Sequence, residues 1–204
     1  MEMGAQALSR DELTFKPVTL EEWDDLQALF NEPGPQHGCW CMYWRVTRAD
    51  YHRQYGEGHR AALREIIAAG RVPGILAYHE GRPVGWCSIA PREEFPALDR
   101  SPKLKRVDDQ PVWSIVCFFT SRPYRRRGLT RALIEAAIEY AQAHGALIIE
   151  AYPVTTEGAR YSHYEMYTGV LSTFERLGFR EAVRRSELRP IMRLTIEQRL
   201  EGAE

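Results

Sequence analysis

One strand–helix–strand unit constrains the fold of this chain more than any other feature. Residues 112–120 (VWSIVCFFT) carry no charge and little alternation, which is the pattern of a strand buried on both faces. Residues 129–144 follow with apolar side chains at helical spacing and end before Gly145. Residues 146–154 form a second apolar run. Two strands joined by a helix in this way pair in parallel with a right-handed crossover, so the sequence predicts an α/β fold.

Shorter elements surround this unit. Residues 13–18 are typical of a strand, and a capping box between Thr19 and Glu22 marks the start of a first helix. Patterns further along predict a helix over residues 59–69, strands over 74–78 and 84–90, a helix over 168–177 and two last strands before about residue 194. Residues 91–111 form a long charged connection, which we expect to be functional or mobile. We predict a flexible arm over residues 1–12, a single domain over 13–195 and a tail over 196–204.

The charge balance argues against several classes of function. Lys plus Arg is 27 and Asp plus Glu is 28, so nothing favours general attraction to nucleic acid or to an anionic membrane. The sequence lacks an apolar run of about 18 residues and a signal peptide at its start. We therefore expect a cytoplasmic protein without a nucleic-acid or membrane partner. Its four cysteines are expected to be reduced thiols: Cys39, Cys41, Cys87 and Cys117.

The basic turn between the buried strand and the helix (residues 121–130, SRPYRRRGLT) has the features of an anion site. Gly128 lets the backbone turn tightly and approach a ligand closely. The first amides of the helix have no internal partner, and the helix dipole is positive there. This arrangement suits a pyrophosphate. A solvated basic surface and a nucleic-acid contact are the alternatives, and the position of the turn in the fold favours phosphate binding over both.

The pattern Arg125-x-x-Gly128-x-Thr130 resembles the acetyl-CoA signature of the GNAT superfamily of N-acetyltransferases, Arg/Gln-x-x-Gly-x-Gly/Ala. Thr130 departs from it, since the family usually has Gly or Ala there. The order of elements over residues 13–195 is similar as well. The resemblance implies an acyl-CoA N-acyltransferase fold, with a central mixed sheet of six to seven strands and flanking helices. It also implies transfer of an acetyl group from acetyl-CoA to a primary amine by direct attack in a ternary complex, and it suggests a homodimer.

The resemblance also implies where the coenzyme binds. Backbone amides at the end of the buried strand would hold the pantetheine and the thioester carbonyl, as an oxyanion hole does. Amides of the basic turn would hold the pyrophosphate. The predicted coenzyme-binding residues are Phe118, Phe119, Thr120, Arg125, Arg126, Arg127, Gly128, Leu129 and Thr130.

Two catalytic residues common in the family are missing from their usual places. Ser114 stands where many members carry a glutamate, and Phe174 stands where many carry the tyrosine that protonates the leaving thiolate. Glu150 lies inside an apolar strand, so it is either paired with an arginine or has a raised pKa and acts as a base. Tyr164, or else Tyr167, is the candidate acid, with packing as the alternative. We take Glu150 and Tyr164 as the candidate catalytic residues.

The acceptor amine is expected near an aromatic stretch, residues 39–55. Trp40, Tyr43 and Trp44 would wall its pocket by stacking or cation–π contact, unless they form a hydrophobic cluster under a loop. Glu93 and His163 are expected to contribute to substrate binding. The Cys39-x-Cys41 pair does not predict a zinc site, because zinc needs four ligands and no second pair appears.

Three functions remain open from the sequence. The first is acetylation of a small-molecule amine, which two aromatic loop segments favour because they would enclose a pocket. The second is acetylation of a protein N-terminus or lysine, which would need an open groove. The third is a non-catalytic acyl-CoA sensor, which the missing glutamate and tyrosine motivate. An acyl-cysteine intermediate at Cys39, Cys41 or Cys117 is conceivable, but the sequence pairs none of them with a base.

Overall fold

A seven-stranded mixed sheet forms the centre of the molecule in the computed structural model, which describes residues 7–32, 37–156 and 166–196. The strands lie in the order β1-β2-β3-β4-β5-β7-β6. Neighbouring strands are antiparallel except β4 and β5, which are parallel. The strands are β1 (Leu13–Pro17), β2 (Ile75–His79), β3 (Arg82–Pro91), β4 (Trp113–Thr120), β5 (Ile148–Ala151), β6 (Arg180–Val183) and β7 (Ile191–Thr195). The predicted mixed sheet and its parallel pair are confirmed.

Helices cover both faces of the sheet. They are α1 (Trp23–Phe30), α2 (Arg48–Arg53), α3 (Glu57–Ala68), α4 (Pro96–Asp99), α5 (Leu129–Ala143) and α6 (Leu171–Glu175). Side chains alternate along the strands, so Ile75 and Ala77 join the apolar cluster under α5, whereas Leu76 and Tyr78 join the cluster under α1 and α3. None of the helices within the described ranges is long and apolar enough to cross a bilayer.

Two regions outside the sheet have local structure or contacts of their own. The connection between β3 and β4 contains a short 3-10 turn (Arg92–Glu94) and α4. The described part of the predicted N-terminal arm, residues 7–12, contacts the domain. The Leu8 amide donates to the Arg127 carbonyl at 3.0 Å, and Arg10 forms an ion pair with Glu139 at 2.6 Å.

The parallel strands β4 and β5 pair over a short distance and then diverge. Their register joins Trp113 to Ile149, Ser114 to Glu150 and Ile115 to Ala151. Further along β4, the Phe118 amide donates to the carbonyl of Tyr167 at 2.6 Å. Part of the opening between the two strands is therefore occupied by the segment that precedes α6.

Candidate active site

The basic turn leads directly from β4 to the N-terminus of α5, as predicted. Its backbone reverses through two residues with positive φ, Arg126 at 60° and Gly128 at 85°. Gly128 is the N-cap of α5 and has a left-handed conformation, which glycine adopts without the steric penalty of a Cβ. Gly85 in β3 allows α5 to pack closely, because a Cβ there would lie 2.8 Å from Leu129 Cδ2.

The turn satisfies the requirements of a pyrophosphate site. The amides of Gly128, Leu129 and Thr130 donate to no acceptor within the described residues, as expected for the first turn of a helix. A Cβ at Gly128 would lie more than 4 Å from the atoms of other elements, so the turn is open on the side to which a side chain at Gly128 would point. Leu129 can contribute only its backbone, because its side chain is buried in the core.

The three arginines of the turn have different surroundings. Arg126 is exposed, which leaves its guanidinium able to reach an anion in front of the turn. Arg125 Nε donates to the Thr120 carbonyl at 3.3 Å, and the Arg127 guanidinium lies 5.4 Å from the centre of the Tyr124 ring. Arg125 and Arg127 therefore also shape the turn that presents the helix amides.

The end of β4 offers fewer free amides than we expected. The Phe118 amide is occupied by the Tyr167 carbonyl. The Phe119 amide faces β3, because amides alternate along a strand and the next one on that side, Ser121, donates to the Val84 carbonyl at 2.9 Å. Thr120 shares the side of Phe118 and faces the opening beside β5. Of these three predicted residues, the structure leaves Thr120 with an available amide.

Glu150 is at the centre of a buried ion-pair network. Its side chain is 1% exposed and accepts hydrogen bonds from Arg92 at 3.0 Å and Arg193 at 2.8 Å. The Tyr152 hydroxyl donates to it at 2.9 Å and lies 2.8 Å from Ser114 Oγ. Two cations and a hydroxyl account for a buried carboxylate without a catalytic role. The pairing alternative thus describes Glu150, and its surroundings give no support to the base assignment.

The position of the family's catalytic tyrosine and the two candidate replacements, Tyr164 and Tyr167, differ in their surroundings. Phe174 is fully buried and packs against Phe118 and Phe179, so the family's tyrosine position is part of the core here. Tyr164 lies outside the described residues, as does His163. Tyr167 is half-buried and lines a cavity, and burial raises the pKa of its phenol above the ordinary value.

This cavity has a volume of about 320 Å³ and lies on the face of the sheet that carries α1 and α3. It is lined by Phe30, Cys39, Trp40, Cys41, Tyr43, Trp44, Tyr51, Cys117, Phe119 and Tyr167. Trp40, Tyr43 and Trp44 thus come together as we expected. Glu93 does not belong to the lining, because its side chain is 61% exposed and pairs with Arg106 at 2.9 Å.

One side of the cavity is formed by residues 39–44, here called the wall segment. Trp40 and Cys41 have positive φ angles of 48° and 52°, a conformation that is uncommon outside glycine and costs free energy. The Trp44 indole N–H is buried and donates to no described residue.

Sequence reasoning missed several lining residues. Phe30 ends a helix and had a sufficient explanation as core. Phe119 had been assigned to the coenzyme, and Tyr51 lies in the aromatic stretch but was not singled out. Their shared cavity follows from the tertiary packing of α1 and the wall segment against β4. The aromatic content of residues 39–55 was the available signal, and it pointed to part of this set.

Comparison with protein families identifies the chain. A model of the Acetyltransferase (GNAT) family matches residues 21–160. The chain belongs to this family. It is an acetyltransferase, and acetyl-CoA is its co-substrate. A comparison with curated proteins finds no match.

Solved structures of acetyltransferases share the fold. An apo mutant of agmatine N-acetyltransferase is 13% identical with a TM-score of 0.57, and the match covers 91% of this chain and 100% of that one. PaiA N-acetyltransferase from Thermoplasma acidophilum, in complex with coenzyme A, is 12% identical with a TM-score of 0.52, and the match covers 90% of this chain and 98% of that one. The NatC complex bound to Gag peptide and CoA is 14% identical with a TM-score of 0.50, and the match covers 90% of this chain and 98% of that one. At these identities the similarity concerns the fold alone.

Proposed function

We propose that this GNAT acetyltransferase acetylates the primary amine of a small molecule with an apolar, aromatic body. The observation that carries the proposal is the composition of the cavity: seven aromatic side chains and three cysteines line it, and the described lining contains no charged group. Aromatic faces stack on aromatic rings and attract an ammonium group by cation–π interaction. A polyamine or an aminoglycoside would need carboxylates that this lining does not supply.

The shape of the site also favours a small acceptor. A volume of about 320 Å³ is at the lower end of the roughly 300–1,000 Å³ typical of small-molecule pockets. Tyr43 is half-exposed and marks the side from which a ligand enters, whereas Trp40 is buried at the wall. A protein substrate would place a single side chain or terminus here and would leave most of its contacts to surfaces outside the cavity.

The proposed coenzyme position connects the two parts of the site. The pyrophosphate binds the amides of Gly128, Leu129 and Thr130, with Arg126 beside it. The pantetheine then extends along the opening between β4 and β5 to the amide of Thr120. The thioester reaches the cavity at Phe119 and Cys117, two lining residues of β4. An amine in the cavity can therefore attack the acetyl carbonyl directly.

Deprotonation of the amine is attributed to the cavity itself. A free primary amine has a pKa of about 10, and transfer into an apolar site lowers that pKa by disfavouring the charged form. The aromatic faces still hold the cation on arrival. A carboxylate base is then not required, in agreement with the structural role of Glu150. We assign proton donation to the leaving thiolate to Tyr167, and Tyr164 stays a prediction.

Acetyl-CoA binding is tested by thermal unfolding of the wild type and of Gly128→Trp. A ligand at about 100 times its Kd adds nearly 3 kcal/mol to the stability of the folded state, so the wild-type melting temperature should rise clearly. Gly145→Trp is the matched control, because Gly145 has a similar φ of 80° and equally open space around its Cβ. The shift should vanish in the Gly128 variant and persist in the control. Equal shifts in both variants would show that the coenzyme does not bind at the basic turn.

The acceptor is tested by release of free CoA thiol with three sets of amines. Arylalkylamines should give the highest kcat/KM, above aliphatic polyamines and peptides with a free N-terminus. Tyr43→Ala and Trp44→Ala should raise KM for the preferred amine while leaving the acetyl-CoA shift intact. Turnover of peptides alone would favour the protein-acetyltransferase alternative. Equal turnover of all three sets would contradict the proposed preference for an aromatic amine.

A further inference from the structure

Two cysteines that are distant in sequence meet inside the cavity. Cys41 belongs to the wall segment and Cys117 to β4, and their Sγ atoms are 3.3 Å apart. Both residues line the cavity and are 9% exposed. A molecule as small as a peroxide can reach these thiols through the cavity, whereas larger reagents meet the surrounding aromatic side chains.

The surroundings of Cys41 favour its thiolate. The Trp86 indole, which can only donate, gives a hydrogen bond to Cys41 Sγ at 3.0 Å. Contact with the Cys117 thiol lowers the pKa of Cys41 below its ordinary value, burial opposes this, and the Trp86 bond and the Arg45 cation add to the lowering. A buried thiol without such partners has its pKa raised and is unreactive. Cys87 is an example, because burial raises its pKa well above the ordinary value.

We propose that Cys41 and Cys117 form an oxidation site at which a peroxide converts the two thiols reversibly into a disulfide. The pair lies in direct contact, one sulfur already accepts a hydrogen bond from a fixed donor, and a cavity gives the oxidant access. Cys39 is the third cysteine of the lining. Its pKa is raised mainly by burial, and its side chain forms a hydrogen bond with Tyr51. It is therefore the less reactive member of the wall segment.

The reaction balances with hydrogen peroxide as the two-electron oxidant. The Cys41 thiolate attacks one peroxide oxygen, the O–O bond breaks, and the departing hydroxide takes up the proton that Cys41 released on ionisation and becomes water. The resulting sulfenic acid is attacked by the Cys117 sulfur. The S–S bond forms, the S–O bond breaks, and the departing hydroxide takes up the Cys117 proton as a second water. Two thiols are oxidised and one peroxide is reduced to two waters.

The disulfide would act on the acceptor side of the site. It would fix the wall segment to β4 and consume two of the sulfurs that line the cavity. The basic turn lies at the other end of the coenzyme path and contains neither cysteine. Oxidation should therefore change the KM of the amine by a larger factor than the Kd of acetyl-CoA. This consequence, unlike the disulfide itself, rests on the proposed function.

The test uses the full chain treated with a small excess of hydrogen peroxide. The protein is then unfolded in urea, the remaining thiols are alkylated with N-ethylmaleimide, and the chain is digested without reduction for mass spectrometry. We expect a mass loss of two hydrogens, alkylation of Cys39 and Cys87 only, and a linked peptide joining Cys41 to Cys117. Dithiothreitol should reverse all three. The oxidised protein should also melt at a higher temperature, since the crosslink closes a long loop.

Variants separate this pair from the other thiols. Cys117→Ser should abolish the linked peptide, whereas the matched control Cys87→Ser should retain it. The wild-type digest alone also decides the question if a variant fails to fold. A link between Cys39 and Cys41, or four alkylated cysteines after treatment, would overturn the proposal. Because the digest needs neither acetyl-CoA nor an amine, it can succeed or fail independently of the proposed function.

Discussion

Replacement of Glu150 by glutamine separates a structural role from a catalytic one. The substitution keeps the shape of the side chain and removes the charge that faces Arg92 at 3.0 Å and Arg193 at 2.8 Å. Two charge-assisted hydrogen bonds at about 1.5–3 kcal/mol each give about 3–6 kcal/mol, which agrees with the roughly 3–5 kcal/mol for breaking a buried ion pair. Arg92 keeps Asp99 at 2.8 Å and Arg193 keeps Asp108 at 2.6 Å.

These remaining partners place the expected loss near the lower limit, at about 3 kcal/mol. For a domain of this size that corresponds to a fall in melting temperature of roughly 6–12 °C. Urea denaturation of Glu150→Gln measures the free energy of unfolding directly. Glu175→Gln is the matched control, because Glu175 is exposed on α6, and exposed substitutions usually change stability by less than about 0.5 kcal/mol.

Turnover measured well below the melting temperature completes the experiment. If Glu150 is structural, kcat should stay within about twofold of the wild type, since general-base catalysis usually contributes at least about 100-fold. Unchanged stability together with loss of turnover would refute the argument and restore the base assignment.

Three further predictions follow from other contacts. The pKa of Asp108 is lowered mainly by a hydrogen bond from Arg193. Burial raises the pKa of Asp99, but the hydrogen bonds and charges of Arg92 and Arg106 together outweigh it and lower that pKa. The stabilisation from both carboxylates is present above the ordinary carboxyl pKa, so the free energy of unfolding in urea should fall as the pH drops from 5 towards 3, and a flat profile would contradict this. Gly85→Ala should destabilise the protein by about 1–3 kcal/mol through overpacking and weaken acetyl-CoA binding by displacing α5, as measured by urea denaturation and thermal shift. Tyr167→Phe should lower kcat by about 100-fold without changing the acetyl-CoA shift, whereas Tyr140→Phe on the outer part of α5 should leave both unchanged.

The sequence predicts those parts of the fold that local patterns determine. The uncharged strand, the helix that follows it and the glycine between them identify β4, α5 and the coenzyme turn, because periodicity and capping are encoded within a few residues. The helix α2 was missed, since its six residues carry no apolar stripe and its cap, Thr47, lies inside an aromatic stretch.

Contacts between distant residues could not be predicted in this way. Glu150 meets Arg92 and Arg193, which are 58 and 43 positions away, so its charge could be seen from the sequence but its partners could not. The hydrogen bond from the Phe118 amide to the Tyr167 carbonyl depends on the tertiary position of the segment before α6, which local sequence patterns do not determine. Trp40, Tyr43 and Trp44 line one cavity because they lie close together in one short segment, and their role towards the acceptor stays a prediction. The expectation for Glu93 relied on its position in the sequence alone.

The left-handed backbone of Cys41, next to that of Trp40, places stability and activity in conflict at one residue. Each conformation costs of order 1–3 kcal/mol, and strain of this kind persists at functional sites because the surrounding structure enforces it. Glycine at either position would relax the chain and remove a side chain from the cavity. At Trp40 this relief is smaller than the loss, because the buried ring packs against Trp23 and Phe30 and removal of a buried tryptophan side chain costs about 3–5 kcal/mol. Laboratory evolution of this enzyme for heat resistance alone should therefore replace Cys41 rather than Trp40, and the resulting variants should lose amine turnover as they gain melting temperature.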